Sequence, residues 1–148
     1  MRISVKGRYA LAAIIRIASE SGGGGNISVN NIAESLGISK IYLEQVFAQM
    51  KKAGLLTSIK GPRGGYQLAR EPVEMTAWDV LTALELSLTE KTENTVEVDA
   101  PDIETAMQTK VFNPLDAVVE ETLRAITIRD LRDFVGEQGQ DLSFMLNM

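Results

Sequence analysis

Residues 39–52, SKIYLEQVFAQMKK, constrain the fold more than any other stretch of the chain. Leu43, Val46, Phe47 and Met50 fall at i, i+3, i+4 and i+7, which places them on one stripe of a helix. The opposite side carries Ile41, Tyr42, Glu44, Gln45, Gln49 and Lys52. Those side chains suit base edges: an amide pairs with adenine, a carboxylate accepts from cytosine, and an aliphatic group meets the thymine methyl. An ordinary amphipathic helix has the same stripe. Alone, the stretch leaves both a packing helix and a DNA-reading helix open.

The flanking residues favour the second. Ser28 is a cap for a short helix, Val29–Leu36, with Ile32, Ala33 and Leu36 inward. Gly37 then fits a left-handed turn, and Ser39 caps the next helix. A short helix, a glycine turn and a longer helix form a helix-turn-helix pattern. Lys51 and Lys52 close the longer helix at its negative dipole end. Residues 55–60 and 66–69 read as strands around the tight turn Gly61-Pro62-Arg63-Gly64-Gly65. This is a hairpin directly after the reading helix, with Lys60 and Arg63 at its tip, as in a winged helix. An Arg there suits a narrow minor groove, where the negative potential is enhanced.

Upstream, Ser4 caps a first helix running to Glu20, with Tyr9, Leu11, Ala12, Ile14, Ile15 and Ala18 on its apolar face. Lys6 and Arg8 lie near its start, where they can meet phosphates. The run Gly22-Gly23-Gly24-Gly25 reads as a flexible connector; it lacks the Gly-Lys-Ser/Thr ending of a phosphate loop. Downstream, Pro72 and Thr76 open a helix from Ala77 to about Leu86, packed through Trp78, Val80, Leu81 and Leu84, and the lone Trp78 reads as core or interface. Residues 87–109 are polar and acidic and read as a loop, with no calcium-loop spacing. Val111, Leu115, Val118, Val119, Thr122 and Ile126 trace a further apolar stripe. Asn113-Pro114 either starts that helix or kinks one already running. Thr127 and Asp130 form a near-capping box for a short last helix with Leu131, Phe134 and Val135 inward and Gly136 ending it. The apolar tail is expected to pack on a neighbour. A long amphipathic helix after a complete small domain needs a partner, and its own copy is the simplest one.

Charge sharpens the division. Ten basic and four acidic side chains give residues 1–72 a charge of +6, whereas five basic and sixteen acidic ones give residues 73–148 a charge of −11. A basic half joined to an acidic half implies that the first meets a polyanion. The 148 residues contain no Cys and no His. This excludes thiolate nucleophiles, disulfides, cysteine-held clusters and imidazole catalysis, and leaves no expected metal or cofactor. An enzyme is therefore not expected. The N-terminus has no secretory pattern and no stretch reaches membrane-span length, so the expectation is a soluble cytoplasmic protein with no membrane partner.

The segments MRISVKGRYAL, ISKIYLEQVFAQMKKAGLL, SIKGPRGGYQLAR, WDVLTALE and TLRAITIRDL resemble, in the same order, a family of bacterial winged-helix regulators. That family includes the iron–sulfur regulator IscR, the nitric-oxide-sensing NsrR and the cysteine-metabolism repressor CymR. The resemblance spans residues 1–135 and implies a homodimer on an imperfect DNA palindrome, with crossing C-terminal helices. Cluster-binding members carry three cysteines in the loop before the dimerisation helix, and this chain has none. Lys60 stands where many members have Arg, which keeps the charge without the bidentate geometry. The cysteine-free loop and the tail are most similar to the CymR branch, which implies a protein partner such as cysteine synthase.

The sequence thus predicts a mainly α fold with a small β-hairpin. It comprises a winged helix-turn-helix domain over residues 1–86, an acidic linker over 87–110, and a dimerisation helix, short last helix and tail over 111–148. Double-stranded DNA is the expected partner and transcriptional repression the expected role. Ser39, Tyr42, Glu44 and Gln45 are expected to face the major groove, with Ile41 on a thymine methyl. Lys60, Pro62, Arg63 and Gly64 form the wing contact, and Lys6, Arg8, Lys40, Lys51 and Lys52 the phosphate contacts. The competing expectation is a winged-helix protein-interaction module without a DNA function.

Overall fold

The hydroxyl of Ser4 accepts from the Gly7 N–H at 3.1 Å and opens α1, Val5–Glu20. The computed structural model describes residues 3–20 and 25–147. Gly22, Gly23 and Gly24 of the expected connector and Met148 of the tail lie outside them, as do the side chains at 141, 143 and 144. The buried face of α1 is Ala10, Ala13, Ile14, Ile17 and Ala18. It is rotated from the expected one, with Leu11 and Ile15 only flanking it. The small Ala10 and Ala13 let neighbouring helices approach closely.

Ser28 caps α2, Val29–Leu36, by accepting from the Asn31 N–H at 3.2 Å, and Gly37 closes it at φ 66°. That left-handed conformation is nearly free of steric penalty only for glycine. Ser39 then caps α3, Lys40–Lys52. Leu43, Val46, Phe47 and Met50 are all fully buried against Ile14, Ile17 and Ile32. Each such side chain contributes about 1.5–3 kcal/mol by leaving water.

Strands β1, Leu56–Ile59, and β2, Gly65–Leu68, pair antiparallel with Leu56 opposite Leu68 and Ile59 opposite Gly65. Ile27 adds a short bridge to the far side of β2, exchanging N–H···O bonds with Tyr66 at 3.0 and 2.8 Å. Tyr66 also stands edge-on to Phe47, with centroids 4.8 Å apart. The hairpin is thereby fastened to α3 from below.

A 3₁₀ turn at Pro72–Glu74 leads to α4, Ala77–Leu84, which opens on a reciprocal Thr76/Asp79 capping box. A second 3₁₀ turn, Leu86–Leu88, follows. Beyond it the structure corrects the expected boundaries. The acidic linker is not loop throughout 87–110: Pro101 starts α5, Pro101–Met107, which runs through a π turn, Gln108–Phe112, into α6, Asn113–Arg124. Asn113-Pro114 therefore lies inside a running helix. Pro114 has no N–H to donate, and the adjacent π turn reroutes the ladder by bonding the Asn113 N–H to the Gln108 carbonyl.

The last helix is also longer than expected. The Thr127/Asp130 box forms, with both bonds at 3.0 Å. It opens α7, Ile128–Leu146, which passes straight through Gly136. Leu131 packs on the core, but Phe134 is 60% exposed, so the expected inward set stops at Leu131. Near its start α7 is stitched to α4: the Ala77 N–H donates to the Ile126 carbonyl and the Ile128 N–H to the Met75 carbonyl, both at 2.8 Å. Among the described residues no helix is long and apolar enough to cross a membrane.

Candidate nucleic-acid interface

The Ser39 hydroxyl accepts from the Tyr42 N–H at 3.4 Å, so its oxygen is engaged in the cap while the residue stays exposed. One turn of α3 then presents Lys40, Ile41, Glu44 and Gln45 outward, and Ile41 is 72% exposed. An exposed isoleucine beside an amide and a carboxylate is a combination that packing does not explain. Lys40 Nζ lies 4.0 Å from Glu44 Oε1, one turn apart on the same exposed face.

Tyr42 departs from the expected outward face. It is half-buried, with its ring edge-on to Tyr9 of α1 at 5.4 Å. Tyr9 was expected only on the apolar face of α1. Its aromatic type at the start of a basic segment was the available signal. The contact brings the first turns of α1 beside the start of α3. Lys6 is half-buried there, one turn before Tyr9, and Arg8 is exposed.

The wing tip is a turn closed by the Gly64 N–H on the Gly61 carbonyl at 2.9 Å, with Gly61 at φ 109°. Lys60, Pro62 and Arg63 are exposed and Gly64 is half-buried. A Cβ on Gly64 would overlap the Ile59 carbonyl oxygen, and one on Gly65 the Ile27 carbonyl oxygen. Two glycines are thus required by close backbone approach rather than by flexibility. At the other end of α3, Lys51 Nζ donates to Ser58 Oγ at 2.7 Å, while Lys52 remains exposed.

The stripe expected to bury a partner divides. Val111, Leu115 and Val118 are 53–57% exposed, and Thr122 is exposed with them. Val119 and Ile126 are half-buried: Val119, together with Val118 and Thr122, lines a cleft with Ile3 and Leu81 of its own chain, and the Ile126 carbonyl accepts from Ala77.

Two buried carboxylates were not foreseen. Glu85 Oε1 accepts from the Ser4 N–H at 2.6 Å and fits against Gly7, which ties the end of α4 to the start of α1. Glu104 accepts from the consecutive N–H groups of Thr95 and Val96, and from Gln108 at 3.2 Å. The Thr95 and Val96 bonds hold its carboxyl below the ordinary value.

A capped helix with a polar outer face, preceded by a short helix and followed by a glycine-tight basic hairpin, defines a winged helix-turn-helix transcriptional regulator. The chain belongs to the Rrf2 family, described as iron-dependent transcriptional regulators, whose profile matches residues 3–133. It is 34% identical over 139 residues to the HTH-type transcriptional regulator CymR of Bacillus subtilis, which covers 93% of this chain and 95% of the relative. The solved structure of CymR, the global cysteine regulator of B. subtilis, superposes with a TM-score of 0.74 at 33% identity, over 90% of this chain and 98% of that one. The similarity to IscR of Serratia proteamaculans is 41% over 88 residues, 60% of this chain but only 53% of the relative.

The iron in the family description does not suit this donor set. The chain has neither cysteine nor histidine. Among the described residues no three carboxylates stand close enough to hold a metal ion. Glu104, in the segment before α6, directs its carboxylate to backbone N–H groups.

Proposed function

We propose that this chain is a cytoplasmic, homodimeric repressor that binds an imperfect palindrome in duplex DNA without an iron–sulfur cluster. One observation carries the reading: the exposed turn Lys40, Ile41, Glu44 and Gln45 shares one domain with a basic wing fastened to the same helix through Tyr66 and Phe47. In this reading α3 lies in the major groove. Glu44 and Gln45 read base edges, Ile41 meets a thymine methyl, and Ser39 and Tyr42 position the helix end. Lys60, Pro62, Arg63 and Gly64 follow the adjacent groove. Lys6, Arg8, Lys40, Lys51 and Lys52 neutralise phosphates and supply most of the affinity. The exposed side chains of Val111, Leu115, Val118 and Thr122 meet those of a second copy, placing two reading helices about one DNA turn apart or a multiple of it. Regulation through a protein such as cysteine synthase follows from the CymR likeness, and no catalytic activity is assigned.

Fluorescence anisotropy with operator-like and random duplexes tests the reading. Binding at low salt that sharpens into preference for a palindrome supports it. No binding of any duplex at low salt defeats it and favours a protein-interaction module. Sedimentation of Val118→Glu checks the dimer: a monomer with weakened DNA binding is expected.

A further inference from the structure

A cavity of about 360 Å³ lies between α4, residues 88–91 and α6, and none of the residues expected to contact DNA lines it. Trp78, Leu88 and Ala117 are among its apolar lining, and the exposed Glu90, Lys91 and Asp116 among its charged lining. At 100° per residue, the part of α6 that lines it, residues 113, 116, 117 and 120, lies roughly opposite Leu115, Val118 and Thr122. Covering the exposed stripe with a second copy therefore leaves the cavity open.

Its chemistry selects one charge. The Trp78 ring already takes a cation, the Arg124 guanidinium, 5.4 Å from its centroid. Arg124 in turn pairs with Glu120 at 3.2 Å. Among the described residues neither Glu90 nor Asp116 has a cation within ion-pair distance. Two open carboxylates against the single ammonium of Lys91 leave the lining negative beside aromatic and aliphatic groups. With the Trp78 face already holding Arg124, the attraction for a further organic cation comes from the two carboxylates, while Trp78, Leu88 and Ala117 offer apolar contact to its body.

We propose that this cavity binds a small primary amine with an apolar body, its ammonium toward Asp116 and Glu90 and its body on Trp78, Leu88 and Ala117. The occupant touches α4 of the winged domain and α6 at once. It thus bridges the elements that join the DNA-binding half to the dimer stripe.

Trp78 is the only tryptophan, so its emission reports this site alone. The full chain, without DNA, is titrated with phenethylamine and, as controls, with 2-phenylethanol and phenylacetate. A saturable change with the amine and none with the controls over the same range is expected. The Glu90→Gln/Asp116→Asn double variant should bind the amine about fourfold more weakly, in keeping with solvent-screened ion pairs, with an unchanged melting curve. A non-saturating response to the amine, equal binding of the neutral alcohol, or an unchanged Kd in the double variant overturns the proposal. Because no DNA is present, these outcomes are independent of the DNA-binding reading.

Discussion

Tyr9 and Tyr42 meet edge to face, their ring centroids 5.4 Å apart and their planes inclined at 86°. This contact joins α1 to the first turn of α3, next to the Ser39 cap. It holds the first turns of the two helices side by side.

An edge-to-face pair contributes about 0.5–1.5 kcal/mol beyond the area it buries. A double-mutant cycle with Tyr9→Ala and Tyr42→Ala in urea should return a coupling energy in that range. Zero coupling would mean that the rings only share surface.

Arg63→Ala should weaken binding to every duplex and flatten the log–log salt dependence by about 0.9, the loss of one phosphate contact. Glu44→Ala should instead broaden base preference, since a carboxylate selects cytosine by about 1–3 kcal/mol yet repels phosphates. Titrations at several salt concentrations test the first substitution and binding-site selection the second. An unchanged slope or an unchanged consensus counts against the respective role.

Two glycine substitutions should shift stability in opposite directions. Gly65→Ala drives a Cβ into the Ile27 carbonyl, backbone against backbone, and should cost at least about 2 kcal/mol. Gly136→Ala meets open space in the middle of α7 and should stabilise by about 0.5–1 kcal/mol. Thermal melts of the two variants give the comparison directly.

The Glu104 carboxyl is held below its ordinary value of 4.5 by the Thr95 and Val96 N–H groups, with a smaller contribution from Gln108. A carboxylate depressed on folding contributes stability that is present above its unfolded value and lost as pH falls through the folded one. Asp130 titrates in the same direction, chiefly through its Thr127 bonds, so global melts mix the two groups. Amide exchange at Thr95 and Val96 separates them. Protection there should fall on acidification in the native chain, and be low and nearly pH-independent in Glu104→Gln apart from the intrinsic exchange rate.

The winged half was legible because its signals are local. Ser28, Gly37 and Ser39 are caps whose chemistry is visible in one turn of sequence, and the stripe Leu43, Val46, Phe47 and Met50 is buried as spaced. Lys40, Ile41, Glu44 and Gln45 face outward as their types suggested. Tyr42 did not, because its partner Tyr9 lies 33 positions away in sequence and only packing brings the rings together. The acidic stretch hid α5 for a related reason. Its charge density resembles a solvated loop, and the bonds that order it join Glu104 to N–H groups eight and nine residues earlier. Pro101 at the first turn was the overlooked local sign. Gly136 misled in the opposite sense: a glycine ends a helix where φ turns positive, and here it does not.

The paired bonds between residues 75–77 and 126–128 make the chain leave α4 at one end and come back to it at the other. Everything between Glu85 and Ile126 is therefore a cassette clipped at both ends onto the winged domain. Closing such an excursion depends weakly on its length, about 0.6 kcal/mol for each doubling. Lengthening or shortening that excursion is thus expected to leave the winged half in place at little cost.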